Sequence, residues 1–191
     1  MEKLLPSLLI AALSVILSGC GSFMAAMQSE TIEEDPGKRT FGQQLDDENI
    51  ETKAVVNIHA VDEAFDEAHI IVISYNGYVL IAGQVQTEAL KTKATEVVRK
   101  IRDVRRIYNE LDVSAPSSAI SRTSDTWITT KVKSWLLGSS EIQGGRVKVV
   151  TENGTVFLMG LASQAEEKRI VKMASEISGV QRVVSLIEVI D

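Results

Sequence analysis

The sequence predicts an α+β fold built as two tandem α-β-β-α-β modules, each a two-layer unit of two helices on a three-stranded sheet. Three observations carry that prediction. SYNGYVLIAG (Ser74–Gly83) and TENGTVFLMG (Thr151–Gly160) are one element repeated 77 positions apart. Each holds an Asn-Gly pair between apolar runs, the strongest short-range signal for a hairpin. Ahead of each lies a helical segment sharing Ile-x-Thr-Lys, at Ile50–Lys53 and Ile128–Lys131.

In chain order, each module opens with a helix, Asp47–Ala60 and Asp125–Leu137. The hairpin follows, with its two strands read as alternating apolar segments. A second helix, about Thr87–Arg102 and Ser163–Ser178, starts at a capping Thr or Ser. A closing strand, Val104–Val113 and Val180–Ile190, ends each copy. Gly83 and Gly160 close the second strand of each hairpin and are expected to be structural, marking close backbone approach or a bend. Asp103 stands where the second copy has Gly179. The expected domains are 46–113 and 125–191, joined by a polar linker, 114–124, that begins Ser-Ala-Pro-Ser-Ser. At about 67 residues, a module has barely enough core to fold alone.

The N-terminus reads as a targeting segment. Leu4 to Leu17 is an apolar run of 14 residues, short for a bilayer span, followed by small residues and Cys20, the single cysteine. Leu17-Ser18-Gly19-Cys20 resembles the lipobox of bacterial lipoproteins. That resemblance implies a signal peptide over 1–19, cleavage after Gly19 and lipid on Cys20. Gly21 in place of Asp then implies an outer-membrane address facing the periplasm. Residues 20–45, polar and without sustained periodicity, read as a flexible tether reaching about 25–30 Å.

The chain carries 2 Trp, both in DTWITTKVKSWLL (Asp125–Leu137). At about 100° per residue, Ile128, Val132, Trp135 and Leu136 share one arc, the stripe that should face the sheet. Trp135 is therefore expected in the core. Trp127 falls outside that arc with Thr130, Ser134 and Leu137, flanked by Lys131 and Lys133. An outward Trp and Leu bordered by lysines suits a helix lying at a lipid interface. A protein-contact patch and packing against the preceding loop or the first module are the alternatives that fit it less well. The first helix is an internal control: in register, Asn49, Glu51, Val55 and His59 stand at the places of Trp127, Thr129, Lys133 and Leu137. Charge agrees with the contrast. Residues 47–113 hold 8 basic and 12 acidic residues, net −4, while 125–191 hold 8 of each.

The Gly83 and Gly160 positions, Gly179-Val180-Gln181-Arg182-Val183 at the last strand and the α-β-β-α-β order resemble the BON domain. Two copies behind a lipobox resemble the dual-BON outer-membrane lipoproteins. That resemblance implies non-catalytic binding of anionic phospholipid, such as phosphatidylglycerol, through Trp127, Thr130, Lys131, Lys133, Ser134 and Leu137. It also implies support of envelope integrity, with outer-membrane protein assembly machinery or division-site components as partners. The competing expectation is a periplasmic scaffold whose second-module helix docks on such a protein; a coat for misfolded chains is a third.

Other classes find little support. The net charge of −6 argues against nucleic acid. There is no glycine-rich phosphate loop and no Gly-x-Ser-x-Gly elbow, so no enzyme and no cofactor is expected. His59 and His69 are the only histidines and have no ligand spacing, so no metal is expected. Arg99, Lys100, Arg102, Arg105 and Arg106 read as a solvated helix end. Paired carboxylates such as Asp46-Asp47 read as solvated charge.

Overall fold

The computed structural model describes residues 35–190; the expected signal segment, Cys20 and the expected tether up to residue 34 lie outside the described residues. The first module runs α1 (Phe41–Val61), β1 (His69–Tyr75), β2 (Tyr78–Val85), α2 (Glu88–Arg99) and β3 (Arg106–Val113). The second runs α3 (Ala119–Gly138), β4 (Lys148–Glu152), β5 (Thr155–Met159), β6 (Leu161–Ala162), α4 (Gln164–Ser175), β7 (Arg182–Ser185) and β8 (Glu188–Val189).

Both opening helices start about six residues earlier than periodicity suggested. Thr40 and Gln43 form a reciprocal capping box ahead of α1. Ser118 accepts from the Ser121 amide and opens α3 inside the expected linker. Capping chemistry outreaches the apolar pattern at both ends.

In each sheet the second strand is central: β1-β2-β3 and β4-β5-β7. The hairpin pairs are antiparallel, whereas β3 and β7 join in parallel after the α2 and α4 crossovers. Asn76-Gly77 and Asn153-Gly154 all have positive φ, as a two-residue type I′ turn requires. At the final turn, Asp103 and Gly179 both lie in the left-handed region, φ 69° and 101°. Aspartate tolerates that conformation better than most residues, so the first copy keeps the turn without glycine. Gly83 has no such substitute. Its φ is 120°, and a Cβ there would meet the His69 carbonyl oxygen at 2.0 Å. Gly160 sits at the break between β5 and β6, where a Cβ would come 3.0 Å from the Arg146 carbonyl oxygen.

Helices cover one face of each sheet. Ile50, Ala54 and Ile58 of α1 meet Ala94 and Val98 of α2 over Val79 and Ile81. Ile128, Val132 and Leu136 of α3 meet Ile170 and Ala174 of α4 over Val156 and Leu158. The other faces of the two sheets pack on each other. Tyr75, Leu80 and Ala82 meet Phe157, Met159 and Leu186 in a third core shared by both modules. The central strands are therefore buried on both sides and do not show the alternation expected. Their continuous runs YVLIA and VFLM are the signature of two-faced burial.

A polar rim surrounds the shared core. Arg105 grips Glu188 with both terminal nitrogens, at 2.9 and 2.7 Å, and the Asn76 side-chain Nδ2 donates to the same carboxylate. Gln84 donates to Glu152 at 2.8 Å, Lys148 pairs with Glu51 at 2.8 Å, and the Tyr75 hydroxyl donates to the Arg146 carbonyl.

Asp47 corrects the expectation of solvated charge. It is 2% exposed and takes hydrogen bonds from Ser74 Oγ, from the Asn76 and Gly77 amides and from Arg39. Asp125 repeats the device on the Asn153 and Gly154 amides. Each opening helix is thus tied to its own hairpin turn.

Candidate functional site

The α3 helix turns Asp125, Ile128, Val132 and Leu136 inward. That stripe fixes everything else on the helix. Centred near Val132, it leaves Trp127, Thr130, Lys133, Ser134 and Leu137 on the solvent side, and all five are exposed. Trp127 is 60% and Leu137 66% exposed.

Trp135 departs from the sequence expectation. It is 62% exposed and not core. The buried stripe, with Asp125 inside it between Val132 and Leu136, is centred about 65° from Trp135 around the helix, and Trp135 falls beyond its Ile128 edge. Trp127, Lys131 and Trp135 consequently follow one another at four-residue spacing along a single outer ridge. The Lys131 ammonium stands 3.4 Å from the Trp127 ring centroid, a cation–π contact, and 3.4 Å from the Ser178 carbonyl oxygen. The two tryptophans bracket one cation.

Between α3 and α4 the surface opens into a groove of about 680 Å³. Its apolar lining comes from Trp135, Ile142, Met173 and Ile177, and its basic lining from Lys131, Arg169 and Lys172; Glu141 and Glu176 also reach it. Arg169, Lys172 and Met173 were invisible to a reading confined to the opening helices. The signal for them lies in the second helix, EEKRIVKMAS, whose Arg169 and Lys172 are exposed around the buried Ile170 and Ala174.

Hydrogen bonding refines the remaining positions. The Thr130 hydroxyl donates back to the Thr126 carbonyl, leaving its lone pairs outward. Thr129, at the place of Glu51, bonds Thr151 inside the module. The matching surface of α1 carries Asp46 and Glu48 beside the exposed Phe41, Leu45 and Val56, so it is apolar in part but acidic. Of the five first-module cations singled out in the sequence, Arg105 is held by Glu188 and Arg106 lies 5.6 and 5.7 Å from the ring centroids of Tyr78 and Tyr108. Among the described residues no helix is long and apolar enough to cross a membrane, and no cluster of three or more His, Cys, Asp or Glu could hold a metal ion.

Comparison with known proteins places this geometry in a family. The BON domain matches residues 46–115 and 124–191. The Outer membrane lipoprotein DolP of Haemophilus influenzae is 33% identical over 178 residues, spanning 93% of this chain and 92% of that protein. A 21 kDa hemolysin of Actinobacillus pleuropneumoniae is 37% identical over 149 residues, 78% and 77% of the two chains. The Osmotically-inducible protein Y of Escherichia coli is 27% identical over 185 residues, 92% and 91% of the two. Two matched domains and full-length likeness lead to one assignment: the chain belongs to the BON-domain family and is a dual-BON, DolP-like protein.

Proposed function

We propose that this chain is a non-catalytic, periplasm-facing outer-membrane lipoprotein whose second BON module docks on anionic phospholipid through the outer face of α3. The single observation that carries the reading is the joint exposure of Trp127 and Leu137 on a face flanked by Lys131 and Lys133. An indole seats at headgroup depth, a leucine reaches the acyl boundary, and ammonium groups pair with lipid phosphates. Thr130 and Ser134 lie between them and offer hydroxyls to headgroups. The first module, net −4 over residues 47–113 and acidic along α1, is repelled by the same surface.

Acyl chains on Cys20 hold the molecule at the membrane, and the docking face then acts at high local concentration. The likeness to an outer membrane lipoprotein supports that address. On this reading the protein supports envelope integrity, beside outer-membrane protein assembly machinery or division-site components.

The test is co-sedimentation of the chain from residue 20 onward, produced without residues 1–19 and unacylated through Cys20→Ala, with phosphatidylglycerol and phosphatidylcholine vesicles. Binding to the first alone, weakened by salt and lost in a folded Trp127→Ala, is the expected result. A folded chain that ignores both vesicles turns the α3 face into a protein-docking surface, the alternative reading.

A further inference from the structure

β1 and β4 are the outer strands of their sheets, and among the described residues neither pairs with a further strand. In a two-residue hairpin the residues flanking the turn exchange both ladder bonds. The next residue out therefore turns its amide to the open edge. Those residues are Ser74 and Thr151, which stand opposite Val79 and Val156.

The first module closes its edge. The Ser74 amide donates to Glu51 Oε1 at 2.8 Å, and Lys148 reaches across from β4 to the same oxygen at 2.8 Å. The second module lacks both closing groups. Thr129 stands at the place of Glu51, and Ile71 at the place of Lys148. The Thr129 hydroxyl stops at Thr151 Oγ, 2.7 Å away. Thr151 is 6% exposed, yet among the described residues no side chain takes the place of Glu51 at its amide. A buried N–H of that kind requires a partner.

Beside it a cleft of about 470 Å³ runs along β4 from Val149 to Glu152. One wall is α3, with Arg122, Thr126, Thr130 and Lys133; the other is β1, with His69 and Ile71. We infer that the β4 edge takes an extended acidic peptide segment as an added strand, with carboxylates at Arg122 and Lys133. Strand addition draws affinity from main-chain bonds and specificity from alternate side chains.

Charge and spacing select that occupant. Arg122 and Lys133 are exposed, whereas the two acids at the cleft are buried and engaged. Asp125 holds the turn amides; Glu152 accepts from Gln84 and Ser117 and lies 3.3 Å from His69 Nε2. The two cations are eleven residues apart on α3, about 16 Å along its axis. Strand residues i and i+4 share a face and stand about 13 Å apart, a gap that long side chains bridge. A hydroxyl residue midway would face Thr126 and Thr130, and the apolar residues between would face Ile71. The inference is independent of lipid docking. Thr130 and Lys133 border both surfaces, but Arg122, Thr129 and Ile71 belong to the cleft alone.

The probe is acetyl-Glu-Val-Thr-Val-Glu-amide, titrated into the isotope-labelled chain from residue 20 onward with Cys20→Ala, following backbone amide resonances. The expected result is a saturable downfield shift of the Thr151 amide, with its hydrogen exchange slowed. Thr129→Glu/Ile71→Lys rebuilds the closing pair of the first module and should abolish the shift. Arg122→Gln, at an exposed position, should weaken binding about fivefold, and the same peptide with lysine for both glutamates should bind more weakly still. That variant keeps the test decisive should the double variant unfold. A Thr151 amide unmoved at millimolar peptide, unaltered binding in the folded double variant or in Arg122→Gln, or equal binding of the lysine peptide each overturns the inference.

Discussion

The Asp125 carboxylate spans the Asn153-Gly154 turn, taking the Gly154 amide on one oxygen and the Asn153 amide on the other, both at 2.9 Å. The bond pair joins the first half of α3 to the tip of its own hairpin. It sets the rotation of α3, and through it which residues of that helix meet solvent. Asp125→Ala strands two amide donors in the interior, at about 1–3 kcal/mol each. Urea unfolding should show a loss of about 2–4 kcal/mol, and a midpoint equal to wild type would remove the clamp from the account of the fold.

Asp47 makes the same clamp in the first module and gives it a pH signature. Burial works to raise its pKa, but donors from Gly77, Ser74, Arg39 and Asn76 outweigh that effect and hold it below the ordinary carboxylate value. A carboxyl more acidic folded than unfolded stabilises the native state above the unfolded pKa, and that contribution fades as pH falls through the folded value. Asp47→Asn should therefore unfold at clearly lower urea than wild type at pH 7. The gap should narrow progressively below about pH 4. A gap that stays constant down to pH 2 would show that ionisation plays no part.

How much of this was legible in the chain follows from the range of each interaction. The Asn-Gly turns, the α-β-β-α-β order and the outward Trp127 depend on neighbours within a few residues, and sequence pattern reads them directly. The aspartate clamps do not. Asp47 and Asp125 meet their turns 29 or 30 and 28 or 29 residues later, and a lone acid at a helix start ordinarily means solvated charge. Trp135 stands only about 20° beyond Ile128 on the wheel, so a pattern of apolar residues does not separate the edge of the stripe from the solvent beside it. The shared core was legible in principle, since five apolar residues in succession from Tyr78 to Ala82 fit a strand covered on both faces.

That shared core makes the modules energetically dependent. Phe157 is 2% exposed and packs among first-module residues such as Leu80. Phe157→Ala should cost about 3–5 kcal/mol. Native-state hydrogen exchange should also show faster exchange at β1 and β2, in the module that was not altered. Protection confined to its wild-type pattern there would mean that the two modules fold independently.

Two glycines separate backbone demand from mere smallness. At Gly83 both the φ of 120° and the 2.0 Å approach to the His69 carbonyl oppose a side chain. At Gly138, the last residue of α3, an added Cβ meets nothing within 4 Å. Gly83→Ala should lower thermal stability steeply, by at least 2 kcal/mol or so. Gly138→Ala should be neutral or stabilising by up to about 1 kcal/mol. Similar effects at the two sites would contradict the backbone geometry.

The two tryptophans offer the sharpest test, because the inward and outward placements of Trp135 predict opposite stabilities. A core Trp cut to Ala costs about 3–5 kcal/mol. At 60% and 62% exposure, both Trp127→Ala and Trp135→Ala should stay within about 1 kcal/mol of wild type. Any change in lipid binding by these variants then reports on the surface itself and not on unfolding. Trp127→Ala should lose phosphatidylglycerol vesicles with its melting temperature intact, if the proposed docking through its exposed indole holds. Trp135→Ala should likewise keep its melting temperature, because its indole stands in solvent at 62% exposure. Were Trp135→Ala instead to unfold at much lower urea, the ridge of two tryptophans about one lysine would be wrong, and the groove beside it with it.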